Sequence, residues 1–260
     1  MAQPTPYPEL NALLEEFVRQ ARASLEADLI GLYLVGSFAL GGFDEDSDVD
    51  FLCVTRDELT STQQASIQSM HGRLYDSGTP FAQHLEGSYI SAERLRLAPD
   101  GSELFYLDNT ARALIWSDHC NKSVVRWTLY QHGIALHGPT ANTLLELVDS
   151  EALRQETRRS MRSWLEEILA QPQLVDNRWY QAYAVVTRCR MLYTLREGAV
   201  ASKPAAVRWA LEHLDSSWAG LIERSWRDRP NPSLTSKLPA NLEDARQTLE
   251  FVEYAATFNG

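Results

Sequence analysis

Two short apolar runs, residues 29–35 and 49–54, lie close together in the chain, and what stands at their facing ends constrains the fold more than any other feature. The first run ends on Gly36-Ser37 and the second opens on Asp48-Val49-Asp50. Each run has the length of a buried strand. Between them Gly41-Gly42-Phe43-Asp44-Glu45-Asp46-Ser47 is rich in turn residues and predicts a hairpin-like connection. A strand that ends in Gly-Ser and enters a short helix presents backbone N–H groups and the positive end of a helix dipole, which suits a phosphate. Ser37 adds a hydroxyl donor, and Gly36 lets the backbone approach a ligand closely. Asp48 and Asp50, two apart on the predicted strand, leave the same face about 7 Å apart along it. Such a carboxylate pair beside a phosphate cradle is suited to Mg²⁺, which takes a few carboxylates and completes its shell with substrate phosphates. An isolated Asp-x-Asp would read instead as two solvent-facing acids at a strand start; the upstream Gly-Ser turns the balance toward a metal site.

The surrounding pattern supplies an α/β half. Leu10, Leu13, Leu14, Phe17, Ala21 and Leu25 recur at helical spacing and predict a helix over residues 9–28. A second helix is predicted over 60–75, a third strand over 81–90 after the breakers Gly78 and Pro80, and a last extended element over 133–139. From residue 151 onward the pattern becomes helical throughout, over 153–170, 176–197, 204–214, 217–227 and 240–258. Within the second of these, Trp179, Ala182, Val186, Cys189 and Tyr193 form one stripe, read as core packing. The expected architecture is an α/β domain with a mixed sheet over residues 1–145, followed by an all-α helical bundle over 146–260.

Charge and cysteine content narrow the partners. With 24 Lys and Arg against 35 Asp and Glu, the formal net charge of −11 repels a polyanion and attracts a cationic small molecule. A duplex nucleic acid is therefore not expected as substrate, although an acidic surface also serves solubility alone. Cys53, Cys120 and Cys189 are few, scattered and odd in number, so they are read as reduced and mostly buried. No apolar run approaches the roughly 20 residues of a membrane span, and residues 1–8 lack the pattern of a secretory signal. A cytoplasmic monomer without membrane attachment is the expectation.

The arrangement Gly36-Ser37 followed by Asp48-Val49-Asp50 resembles the signature of the polymerase β-like nucleotidyltransferase superfamily. More narrowly, most of the chain is similar to the aminoglycoside adenylyltransferases that modify streptomycin and spectinomycin. The likeness extends to the length, the N-terminal half, and the run Arg188-Cys189-Arg190-Met191-Leu192-Tyr193, Gly198, Ser202-Lys203-Pro204 and Ala210-Leu211. It implies attack of an acceptor hydroxyl on the α-phosphorus of ATP with release of pyrophosphate. It further implies Mg²⁺ on Asp48 and Asp50, and nucleotide contacts from Gly36, Ser37 and Ser47. Glu86, 36 residues past Asp50, matches the place of the family's third carboxylate, a general base that also meets the acceptor. His84, two residues earlier, is expected on the same strand face. The resemblance carries phosphate contacts over to Arg190 and Lys203, with Arg188 as a further candidate, although a surface ion pair is the commoner fate of such residues. Asp176 stands where relatives bind a drug amine or guanidinium, and Trp179 is its neighbour. The chain departs from streptomycin-modifying relatives in carrying Gln171 where they place a tryptophan.

Other motifs fail on inspection. His84-x-Glu86 lacks the Pro-Cys-x-x-Cys half of a zinc deaminase site. The run 198–203 lacks the second glycine of a phosphate-binding loop, and no Ser or Thr follows its lysine. Two functions remain: an enzyme that adenylylates a small cationic molecule, and a binding or regulatory protein that uses the same acidic cleft without turnover. Three carboxylates assigned to one site favour the enzyme.

Overall fold

The computed structural model describes residues 3–44, 47–230 and 235–258. The chain divides into two compact units, the first running to Val148 apart from the stretch around Asp44, the second from Asp149 onward.

The first unit is a six-stranded mixed sheet with helices on both faces. Its strands are β1 (Leu29–Leu34), β2 (Val49–Thr55), β3 (Leu85–Ser91), β4 (Leu104–Leu107), β5 (Ile115–Ser117) and β6 (Ile134–His137), in the order β5-β4-β3-β2-β1-β6. β1 runs antiparallel to β2, as the turn-rich link between residues 35 and 49 predicts, and also to β6. β2 and β3 are parallel, which demands a crossover, and a helix over Ser61–Tyr75 provides it. Period two sorts the strand side chains. Leu32, Leu34, Phe51 and Cys53 share one core with Leu10, Phe17, Ile67 and Met70, from the helices Pro8–Leu25 (α1) and Ser61–Tyr75 (α3). Tyr33, Val35, Leu52 and Val54 share another with Ala92, Leu95 and Leu129 on the opposite face. The short helix Gly36–Ala39 is α2, Ala92–Arg96 is α4 and Ser123–His132 is α5.

The second unit is helical: α6 (Ser150–Ala170), α7 (Arg178–Glu197), α8 (Lys203–His213), α9 (Ala219–Asp228) and α10 (Leu242–Thr257). Asp149 caps α6 by accepting from Glu151 and Ala152, and Asn177 caps α7 by accepting from Tyr180. α7 ends on Gly198, whose φ of +66° is the left-handed conformation that stops a helix. Val185, Val186, Cys189 and Leu192 bury α7 among the other helices. Among the described residues no helix is long and apolar enough to cross a membrane.

The structure corrects the sequence reading in three places. The third strand begins at Leu85, not 81, because Phe81 takes a φ of +67° and Ala82–His84 form a 3-10 turn. The span 91–132, for which no element is predicted, contains two strands and two helices. In the α7 stripe Ala182, Val186 and Cys189 are buried as expected, but Trp179 is 37% exposed and Tyr193 only half-buried. Glu45 and Asp46 of the predicted turn lie outside the described residues.

Candidate active site

β1 and β2 meet at the Gly-Ser end, where the Val35 N–H donates to the Asp50 carbonyl at 2.9 Å. Directly after Val35 the chain turns into α2 through Gly36, at a φ of +57°. A side chain there would collide with Asp50: an added Cβ falls 1.8 Å from Oδ2 of its carboxylate. The glycine backbone is thus closed against the acid. Ser37 follows, and its hydroxyl is buried without a hydrogen-bond partner among the described residues. A buried hydroxyl left unpaired costs free energy, and a ligand oxygen is the natural remedy.

Asp50 lies on β2 itself, whereas Asp48 stands just before its first residue, Val49. Asp48 is half-buried and accepts a hydrogen bond from the Asn109 amide. Ser47 is buried beside it. On the neighbouring parallel strand the register sets Glu86 opposite Asp50, so the two carboxylates leave the same face of the sheet. Glu86 Oε1 accepts from the Tyr106 hydroxyl at 2.6 Å, and the same hydroxyl lies 2.9 Å from Asp108 Oδ1. His119 Nε2 stands 3.4 Å from that Glu86 oxygen. Burial, the bond to Glu86 and the charges of Glu86 and Asp108 raise the Tyr106 phenol far above its ordinary pKa. Cys120 is pushed up to about 12, chiefly by burial, with the charges of Glu86, Asp50 and Asp108 adding to it and a Ser88 hydrogen bond opposing it. Burial together with the nearby carboxylates thus keeps both the phenol and the thiol protonated at this end of the sheet.

The donor set is hard oxygen, as Mg²⁺ prefers. Among the described residues no three Asp, Glu, His or Cys side chains could hold an ion by themselves. Two carboxylates beside a cradle with an unpaired hydroxyl nonetheless fit an ion that draws the rest of its shell from nucleotide phosphates and water. His84 is excluded from the expected strand face: it belongs to the 3-10 turn, with Nδ1 3.3 Å from Asn109 Oδ1.

In the helical unit Arg190 is half-buried and donates from Nε to the Ala201 carbonyl at 3.3 Å. Its contact is two residues from Lys203, the half-buried first residue of α8, so both predicted cations occupy one neighbourhood of that unit. Arg188 does not join them. It is fully buried, with its guanidinium 4.0 Å from the centre of the Trp164 ring, and two of its nitrogens lack a partner among the described residues. Asp176 is exposed at the end of a 3-10 turn, and Trp179, in the first turn of α7, stacks on Tyr183 with centroids 5.2 Å apart.

Sequence reasoning missed Tyr106, Asp108, Asn109, His119 and Cys120. They carry no motif, and only the pairing of β4 with β3 and of β5 with β4 brings them to the site.

Comparison with known proteins places the chain among nucleotidyltransferases. Residues 14–82 match the family model of a nucleotidyltransferase domain, and residues 143–256 match that of the aminoglycoside adenylyltransferase C-terminal domain. A spectinomycin 9-adenylyltransferase of Campylobacter jejuni is 22% identical, over 80% of this chain and 81% of its own. An aminoglycoside (3'')(9) adenylyltransferase of Escherichia coli is 23% identical, over 95% and 93%. A spectinomycin adenyltransferase of Enterococcus faecialis, solved with ATP and spectinomycin, shares the fold with a TM-score of 0.68 at 16% identity, over 95% of this chain and 99% of its own. With a nucleotidyltransferase-domain model matching in the first half, the aminoglycoside adenylyltransferase C-terminal model in the second, and relatives aligned across most of the chain, the protein is a nucleotidyltransferase similar over its length to the aminoglycoside adenylyltransferases.

Proposed function

We propose that the protein transfers AMP from ATP to a hydroxyl group of an aminoglycoside-type acceptor in a Mg²⁺-dependent reaction. One observation carries the reading: the register that sets Asp50 opposite Glu86, with the Gly36 backbone closed against Asp50. Asp48 and Asp50 are the metal ligands, and Gly36, Ser37 and Ser47 contact the nucleotide phosphates. The ion, when bound, neutralises charge on the triphosphate oxygens. Glu86 takes the proton of the acceptor hydroxyl. The acceptor oxygen bonds to the α-phosphorus while the bond from that phosphorus to its bridging oxygen breaks, and pyrophosphate leaves with the electron pair. The proton then passes from Glu86 to solvent.

Arg190 and Lys203 are the cations for the developing charge on pyrophosphate. Asp176 and Trp179 bind the acceptor, an exposed carboxylate and an exposed indole being suited to a cationic group. The net charge of −11 and the names of the relatives, which modify spectinomycin and aminoglycosides, both support that acceptor class. On this reading the protein acts as a cytoplasmic monomer. The test is mass spectrometry of a panel of aminoglycosides and spectinomycin after incubation with protein, ATP and Mg²⁺. An adenylate adduct is expected on at least one, lost without Mg²⁺ and with Asp50→Ala. No adduct on any acceptor would favour ligand binding without turnover.

A further inference from the structure

We propose that Tyr106 is a positioning residue for Glu86, holding one oxygen of its carboxylate so that the other is aimed at the acceptor hydroxyl. The inference rests on the reading of Glu86 as general base. Tyr106 pairs in register with Ser88, two residues beyond Glu86 on β3, so its ring lies on the same face of the sheet as that carboxylate. The tyrosine is 3% exposed, which fixes the ring whatever its hydroxyl does. That hydroxyl reaches Glu86 Oε1 at 2.6 Å, the length of a strong hydrogen bond to a carboxylate.

A phenol has one proton, and two carboxylates compete for it: Glu86 at 2.6 Å and Asp108 at 2.9 Å. The shorter contact takes the proton. Burial and the two negative charges keep the phenol protonated, so toward Glu86 it acts only as a donor. His119 approaches the same oxygen at 3.4 Å, but its side chain is 62% exposed against 13% for Glu86, and so long and wet a contact anchors little. A glutamate has three side-chain torsions, and a base displaced by an ångström loses much of its effect. Anchoring Oε1 fixes the direction of Oε2.

The test is a mutant cycle on the full-length protein with ATP, Mg²⁺ and the best acceptor, reading kcat, KM for ATP and the melting temperature. Tyr106→Phe keeps the buried ring and removes only the hydroxyl. It is expected to lower kcat roughly tenfold to a hundredfold with KM for ATP within about twofold. The double variant Tyr106→Phe/Glu86→Gln is expected to be no slower than Glu86→Gln alone, because the hydroxyl then has no base to aim. Wild-type kcat in Tyr106→Phe, alongside a slow Glu86→Gln enzyme, overturns the positioning role and leaves the base assignment standing. Effects that simply multiply in the double variant, or a fall in kcat accompanied by a matching loss of melting temperature, also overturn it. Full kcat in Glu86→Gln overturns the base assignment itself and the role of Tyr106 with it.

Discussion

At Gly36 two demands meet that only glycine satisfies: a φ of +57°, and an Asp50 carboxylate lying where a Cβ would be. For alanine the left-handed backbone costs roughly 1–2 kcal/mol, and the added methyl displaces the acid. Gly36→Ala is therefore expected to lower the melting temperature by a few degrees and kcat by about a hundredfold or more, since the displaced group is the metal ligand of the proposed reaction. Steady-state kinetics with a thermal melt check this; an unchanged kcat would contradict the placement of Asp50. Glu86→Gln is expected to depress kcat far more than it raises KM for ATP, as removal of a group that acts in the transition state should. The opposite split would assign Glu86 to nucleotide binding. Gly36, Ser37, Asp48 and Asp50 are legible as candidates because each sits at a strand end marked by local pattern, whereas Glu86 is singled out only by the family resemblance. Tyr106 is not legible, since a tyrosine within a four-residue apolar strand looks like core until its neighbour across the sheet is known.

Helix α3 makes the parallel β2–β3 pair possible, and its own stability can be tested at both ends. Thr60 and Gln63 form a reciprocal capping box at its start. Thr60→Ala is expected to cost about 1 kcal/mol in urea unfolding, without change in kcat because the cap is remote from the carboxylates. Further along, His71 is buried, with Nε2 2.7 Å from the Tyr89 hydroxyl and its ring stacked on Phe51. Burial holds its pKa down to about 3 against an ordinary value of 6.5. Between those values the unfolded chain binds a proton that the folded protein refuses. The contribution is thus complete above about pH 6.5 and is lost as pH falls toward 3, by up to about 1.4 kcal/mol per unit. In His71→Phe the loss of stability between pH 7 and pH 4.5 should be smaller than in wild type by about 2.5 kcal/mol; equal slopes would contradict a neutral buried histidine. The periodicity of α1, α3 and the five long C-terminal helices makes them readable. Where the chain breaks pattern, as at Phe81, or folds in pieces of three to five residues, as at α4, β4 and β5, there is too little periodicity to read.

On the scale of the whole molecule, a net charge of −11 sets the long-range field. A cationic acceptor is drawn in by that field, so raising ionic strength from about 0.05 to 0.5 M should raise KM for the acceptor severalfold while leaving kcat nearly constant. An acceptor KM independent of salt would locate recognition in short-range contacts alone. By itself the sequence determined the two-part plan, the helical second half and the metal-site candidates, because period, turn chemistry and the spacing of Gly-Ser from Asp-x-Asp are local properties of the chain; the base candidate Glu86 came from the family resemblance. Only the tertiary structure decided that β2 and β3 run parallel in the register that sets Asp50 opposite Glu86, that Asn109 reaches Asp48, and that Tyr106 reaches Glu86. Strand partnership and register follow from which faces are buried together across the whole sheet, and a shift of one residue would send each of those side chains to the other face.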